Sequence, residues 1–311
     1  MPKLWTQVRR RTNFVAATGL AFALGLSGCT ADSSTPDPAD DRPVVLTTFT
    51  VLADLAQNVA GEHLRVESIT KVGSEIHGYE PTPGDLRTAA SADLILDNGL
   101  GLEAWFAQFI DQLEVPHVVL GDTVTPIPIG GTGAPNPHAW MSTTEAESYI
   151  ATIATAFAEL DPSHADDFTR NAENYAAELR ALHDELLTAL DGLPENHRAL
   201  VTCEGAFSYL ARDAGLTEQY LWPVNAEQEA TPQQIAAVID FVTENDVPAV
   251  FCESTVSDRA MQQVVEATGA TFGGTLYVDS LSEADGPVPT YLELLRHDVD
   301  LIIAGLSGTE A

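Results

Sequence analysis

The chain has 311 residues, with 46 acidic against 14 basic side chains and a formal charge of −32. So acidic a surface repels phosphate, which excludes nucleic acid as a natural partner and disfavours anionic lipid surfaces, while cations are attracted. The roughly 270 residues beyond the N-terminal forty suffice for two lobes with cores of their own.

Residues 1–28 read as a leader. "MPKLWTQVRRRT" carries Lys3, Arg9, Arg10 and Arg11 and no acid, and the apolar run "NFVAATGLAFALGL" is short for a bilayer span but suited to a signal h-region. It ends in "LSGC", which resembles the lipobox of bacterial lipoproteins. That resemblance implies cleavage before Cys29 and lipidation of its thiol; the rivals are an ordinary cleaved signal peptide and an N-terminal membrane helix. Four basic residues and no acidic ones precede Cys29, so the mature chain keeps 10 basic against 46 acidic residues, a formal charge of −36. Residues 29–42, "CTADSSTPDPADDR", are polar, acidic and proline-rich, as in a disordered tether. The expected location is outside the cytoplasm, anchored to the cell membrane by lipid and not by a span.

Strand and helix patterns alternate from residue 43. "PVVLTTF" is a short β-branched run, and "TVLADLAQNVAG" follows with Val51, Leu55 and Val59 at helical spacing and Gly61 as a stop. "LRVESIT", "ADLILD" and "PHVVLGD" read as strands, and "GLEAWFAQFIDQL" as a helix. Short strands separated by helices predict a parallel sheet, giving an N-terminal α/β lobe over 43–160. The alternation returns in 193–311, with strands at "RALVTCE", "EQYLWPVN", "PAVFCES" and "GGTLYVDS". Helices lie between them, with Thr231–Pro232 and Ser257 as start signals, and "VPTYLELLRHDVDLIIAGL" closes the second lobe. Between the lobes, within 161–192, Phe168, Ala172, Tyr175, Leu179, Leu182, Leu186 and Leu190 follow steps of three and four. No glycine or proline interrupts Ser163–Leu190. This predicts one long rigid helix joining the lobes and little hinge motion; a coiled-coil dimer is the rival use of the stripe, and a monomer is expected.

Ligands of an open parallel sheet bind beyond the carboxyl ends of its strands. Asp97, Asp122, Glu204, Glu253 and Asp279 fall there, although one carboxylate at a strand end is expected by chance in so acidic a chain. Two histidines sit in stiffened loops: His77 in "GSEIHGYEPTPGD" and His138 in "GGTGAPNPHAWMST". His63, His117, His164, His183, His197 and His297 lie on helices, helix edges or strand starts and read as surface or packing residues. Imidazoles and carboxylates facing one cleft suit a borderline to hard divalent cation. "LILDNGLGLEA" mimics a dinucleotide fingerprint through Gly99, Gly101 and Ala104, with Asp122 downstream; it reads as a turn after Asp97–Asn98. H-E-x-x-H, the P-loop lysine motif and G-x-S-x-G are absent.

Taken together, "TTFTVLADLAQNVAG", "EIHGYEPTPGDL", "ADLILDNGLGLEAWF", "NPHAWMS", "EGAFSYLARD", "YLWPVNAEQEATP", "ESTVSD" and "LYVDSLSEADGPVPTYLELLR" resemble the metal-binding solute-binding proteins of ABC importers, nearest the iron/manganese type. The resemblance covers nearly the whole chain from residue 43. It implies two lobes bridged by one long helix, a metal held between them by His77, His138, Glu204 and Asp279, delivery to a membrane permease, and no enzymatic activity. Zinc-type relatives commonly carry histidine before "GAF" and a histidine-rich loop before the second ligand. Here Glu204 and "TVTPIPIGGTGAP" stand there, which favours Mn2+ or Fe2+ without excluding Zn2+. The rivals are a zinc-specific version, a surface adhesin with a structural metal, and an exported metalloenzyme, for which four protein ligands leave little room.

Three departures from the family pattern stand out. "E-I-H" replaces "D-P-H" before His77, so Ile76 is expected to relax that loop. Ala230 replaces a glycine. Cys203 and Cys252 stand where small non-thiol residues are usual, which leaves open a disulfide between them, two buried thiols, or a thiolate ligand.

Overall fold

The computed structural model describes residues 40–110, 112–130, 132–224 and 230–308. The leader, Cys29 and nearly all of the tether lie outside them.

The N-terminal lobe is built on β1 (Val44–Thr47), β2 (Arg65–Ser68), β3 (Leu94–Asp97) and β4 (His117–Val119), in the order β2-β1-β3-β4 and all parallel. Val45 pairs with both Val66 and Leu94, so the buried β-branched run seen in sequence is one of the two inner strands of the sheet. Helices α1 (Thr50–Ala60), α2 (Pro83–Ala90) and α3 (Ala104–Ile110) connect the strands. Val51, Leu55 and Val59 are buried on α1, and Gly61 ends it at φ 58°, a backbone state that a side chain disfavours. Thr82 caps α2 in a reciprocal box with Asp85, with Pro83 at the first helical position.

Helix α4 (Thr143–Leu160) corresponds to no element read from the sequence; Ser142 accepts the Glu145 N–H at its start. The joining helix α5 spans Ala165–Asp191, two residues later at its start than the stripe suggested, because Pro162–His164 form a separate 3-10 turn. Its buried residues are Phe168, Ala172, Tyr175, Leu179, Leu182, Leu186 and Leu190, the stripe read from sequence. That stripe packs inside the chain: α5 lies against α1, α4, α6 (Ser208–Ala214) and α9 (Tyr291–Ser307). One continuous core therefore runs from Val45 and Leu94 through Leu182 to Leu200 and Phe251.

The second lobe carries two parallel strand pairs, β5 (Ala199–Glu204) with β6 (Thr217–Trp222), and β7 (Ala249–Glu253) with β8 (Thr271–Leu276). Helix α7 (Pro232–Glu244) starts in a Thr231–Gln234 capping box. Helix α8 (Arg259–Thr268) takes Asp258 as its N-cap and not Ser257. Strand β8 also begins and ends earlier than "GGTLYVDS" implied. The Tyr277 N–H is taken by Asp298 Oδ1 at 2.9 Å, which turns the chain off the sheet and leaves Asp279 on the following loop.

Candidate metal centre

His77 lies in the loop between β2 and α2. Its backbone N–H and that of Gly78 donate to the two oxygens of Glu75, at 2.7 and 2.9 Å. Ile76 is buried, and its carbonyl accepts the Trp105 indole N–H at 3.0 Å. A carboxylate and an indole thus hold a loop that lacks the proline.

His138 is fully buried at the end of the "APNP" turn. Asn136 Oδ1 accepts both its backbone N–H (3.1 Å) and its ring Nδ1–H (2.9 Å). With the proton held on Nδ1, the Nε2 lone pair is aimed inward. Asn136 Nδ2 donates to the Gly205 carbonyl (2.7 Å) and to Ser208 Oγ (3.2 Å), so the group that fixes His138 also grips the residue after Glu204 in the other lobe.

Glu204 ends β5 and Asp279 follows β8, each with 2% of its surface exposed. The Glu204 N–H donates to Glu253 Oε2 at 3.1 Å, and the Thr255 hydroxyl donates to Asp279 Oδ2 at 3.2 Å. Asp279 Oδ1 has no hydrogen-bond partner and faces the two imidazoles. Staples between the lobes surround the centre: Trp140 Nε1 donates to the Val278 carbonyl (3.0 Å), the Tyr209 hydroxyl to the Asn136 carbonyl (2.7 Å), and the Leu281 N–H to Thr50 Oγ1 (3.0 Å).

The structure brings the four sequence-predicted residues together. His77 Nε2 and His138 Nε2 are 3.0 Å apart. Glu204 Oε1 is 3.7 and 3.9 Å from them, and Asp279 Oδ1 3.9 and 3.8 Å. A tetrahedron with corners about 2.1 Å from its centre has edges of about 3.4 Å, and these five separations lie near that length; the donor atoms of His77, His138 and Asp279 all lie within 4.8 Å of one another, a group that does not take in Glu204. Burial and the neighbouring His77 hold the His138 pKa well below the ordinary histidine value, which keeps it a neutral ligand. Burial raises Asp279, with His77 pulling the other way. Two carboxylates and two neutral imidazoles would balance a divalent charge.

The other flagged residues stay outside. Asp97 pairs with His117 at 3.0 Å, and Asp122 is exposed in a 3-10 turn. His63 pairs with Asp167 and stacks on His164, while His297 meets the Thr275 carbonyl. The false dinucleotide loop has an internal occupant: the Asn98 and Gly99 N–H groups donate to the Glu103 carboxylate (2.8 and 3.1 Å), as does the Thr48 hydroxyl (2.7 Å). Burial and nearby Asp97 push Glu103 up to about 8 despite these donors. Gly99 sits at φ 72°, with Val119 where a Cβ would be. Sequence reasoning gave no role to Asn136 or Thr255. The "N-P-H" spacing is the one available sign of the former.

The family described as zinc-uptake complex component A, periplasmic, matches residues 45–305. The chain belongs to that family. Its members are solute-binding transport proteins of metal ABC transporters, not enzymes. Among its relatives, the iron-binding protein YfeA of Yersinia pestis is 49% identical over 93% of this chain and 94% of its own length. The manganese-binding lipoprotein MntA of Halalkalibacterium halodurans is 32% identical over 93% and 96%. The Mn-bound periplasmic metal-binding protein from Candidatus Liberibacter asiaticus superposes with a TM-score of 0.81 at 38% identity, over 85% of this chain and 100% of that one. The family and its solved members share the arrangement found here, two α/β lobes joined by a long helix.

Proposed function

We propose that this member captures one Mn2+ or Fe2+ ion with His77, His138, Glu204 and Asp279 and passes it to the permease of an ABC importer. The observation that carries the reading is the convergence of four buried donor atoms, one of them a carboxylate oxygen without a partner, between two lobes. The oxygen-rich donor set suits a hard to borderline ion. The names of the iron- and manganese-binding relatives support the same choice. Zn2+ also binds such donors tightly by the general affinity order, so selection falls to availability and to the permease. In this reading the chain is an exported monomer, lipidated on Cys29. Its lobes span 43–160 and 193–311, and the segment 161–192 joins them.

Metal analysis of protein purified without chelators, with thermal shifts for added Mn2+, Fe2+ and Zn2+, tests this. One equivalent of Mn or Fe is expected, together with a large shift on adding either ion to stripped protein. Stoichiometric zinc alone, with no response to Mn2+ or Fe2+, would overturn the choice of metal.

A further inference from the structure

Glu218 is a half-buried acid outside the metal centre. It lies on β6, beside Leu200 of β5, where burial raises its pKa and the Ser208 hydroxyl pulls it back. Its Oε2 accepts that hydroxyl at 2.6 Å. Ser208 is the first residue of α6, and its oxygen also reaches the other lobe, where it accepts from Asn136 Nδ2 at 3.2 Å. Asn136 Oδ1 in turn accepts His138 Nδ1–H at 2.9 Å. Three hydrogen bonds thus join a carboxylate of the C-terminal lobe to a ligand candidate of the N-terminal lobe.

The direction of this chain is fixed by groups that cannot reverse. The His138 backbone N–H only donates, to Asn136 Oδ1 at 3.1 Å, and the Gly205 carbonyl only accepts, from Asn136 Nδ2 at 2.7 Å. The second hydrogen of Nδ2 then goes to Ser208. A hydroxyl has a single proton; directed at Glu218, it leaves only lone pairs toward Asn136. Every donor therefore points from His138 toward Glu218, and a carboxylate stands at the far end. Such a chain polarises each of its bonds in one sense. It draws the Nδ1 proton away from the ring, which enriches the Nε2 lone pair facing the centre. The Tyr209 hydroxyl holds the Asn136 carbonyl separately at 2.7 Å, so loss of the Ser208 link frees the side chain and not the backbone.

We propose that Ser208 and Glu218 are positioning residues of the metal centre: from the opposite lobe they hold the Asn136 amide against His138 and strengthen His138 Nε2 as a donor to the metal. A cation at Nε2 makes the Nδ1 proton more acidic, and a chain of acceptors ending in a carboxylate stabilises that proton where it is. Without the Ser208 hydroxyl, one hydrogen of the buried Asn136 amide loses its acceptor. Without an acceptor at position 218, the Ser208 proton is free to turn toward Asn136 and oppose its N–H. The inference rests on the assignment of His138 as a ligand.

The test measures Mn2+ affinity, by competition with a chelating dye, for wild type, S208A, S208T, E218L and E218Q. Nuclear magnetic resonance of the metal-free proteins, labelled on histidine nitrogen, follows the His138 Nδ1–H signal, identified by its absence from H138Q. Loss of a group behind a metal ligand typically costs about 10–100-fold in affinity, and the low end, about 10-fold, is expected for S208A and E218L, which act through Asn136. In both, the Nδ1–H signal should move toward weaker hydrogen bonding. S208T keeps the hydroxyl and should match wild type. E218Q keeps an acceptor oxygen without the charge and should fall between wild type and E218L. A role confined to stability would lower the melting temperature and leave both affinity and the Nδ1–H signal unchanged, and that result in S208A would overturn the proposal. If E218L does not fold, S208A and E218Q decide the matter. Failure of wild type to bind Mn2+ would instead overturn the functional reading beneath it.

Discussion

The two lobes supply different ligands from different kinds of backbone. The N-terminal sheet is a continuous four-stranded ladder, and its contributions to the centre, His77 and His138, sit on loops. The C-terminal strands fall into two pairs; Glu204 ends β5, and Asp279 lies on the loop that follows β8. A neutral imidazole needs only orientation, and a loop held by Glu75 or Asn136 provides it. A carboxylate must be kept buried against its own desolvation, which the end of β5 backed by Glu253 does for Glu204 and a hydroxyl from Thr255 does for Asp279. The split sheet is then the half that supplies both anionic ligand candidates and carries the Cys203–Cys252 disulfide.

Removing ligands one at a time from each half should break the comparison most sharply. Alanine at His77, His138, Glu204 or Asp279 is expected to weaken metal binding by orders of magnitude in every case. The effects on the metal-free fold should differ: E204A and D279A relieve buried charge and should leave or raise the apo melting temperature. Calorimetry of stripped proteins checks this, and unchanged metal binding in two of the four variants would dissolve the assignment.

The core shared by the lobes gives the next effect. Leu182 is fully buried on α5, and Leu182→Ala should destabilise by about 2–5 kcal/mol, read from denaturant midpoints. The same helix should restrict closure, so small-angle scattering of stripped and loaded wild type should give nearly equal radii of gyration. Asn136→Ala removes both the His138 clamp and the bond to Gly205, and should cost about 10–100-fold in metal affinity, seen by chelator competition.

Each half also holds one acid whose pKa burial pushes up to about 8, Glu103 in the first and Glu253 in the second. Their folded values exceed the ordinary 4.5, so the stability they lend is complete below about pH 4.5 and is lost as pH rises toward 8. His138 has the opposite sign: its depressed value lends stability above pH 6.5 that is lost in acid. The stripped protein should therefore melt lower at pH 8 than at pH 6.5, and E103Q or E253Q should each flatten that decline. The smallest effect belongs to the periphery: Thr231→Ala, at the α7 cap, should cost about 1 kcal/mol and leave metal affinity untouched.

Much of this architecture was legible because local patterns and packing agree. The α5 stripe named every residue that the helix buries, since a period near 3.6 over 27 residues fits only a helix, whichever partner that helix packs against. Helix α4 was legible as well: Tyr149, Ile150, Ile153 and Phe157 recur at helical spacing behind the Ser142–Glu145 start signal, with Ala146, Ala154 and Ala156 filling the rest of the buried face. The end of β8 was misplaced because its terminator, Asp298, lies on a distant helix. At the centre, the four ligand candidates came from resemblance more than from spacing. Their supports are illegible locally: Asn136 reaches Gly205, and Thr255 reaches Asp279, only once the fold has closed. The Glu103-filled loop agrees with its reading as a turn: the backbone donors of the false fingerprint are already used inside the protein.

Anomalous diffraction at the manganese edge from crystals of Mn2+-loaded protein tests the central claim most directly. The account predicts one strong peak within bonding distance of His77 Nε2, His138 Nε2, Glu204 Oε1 and Asp279 Oδ1. A peak elsewhere, or one at the imidazoles with neither carboxylate bonded to it, would contradict it.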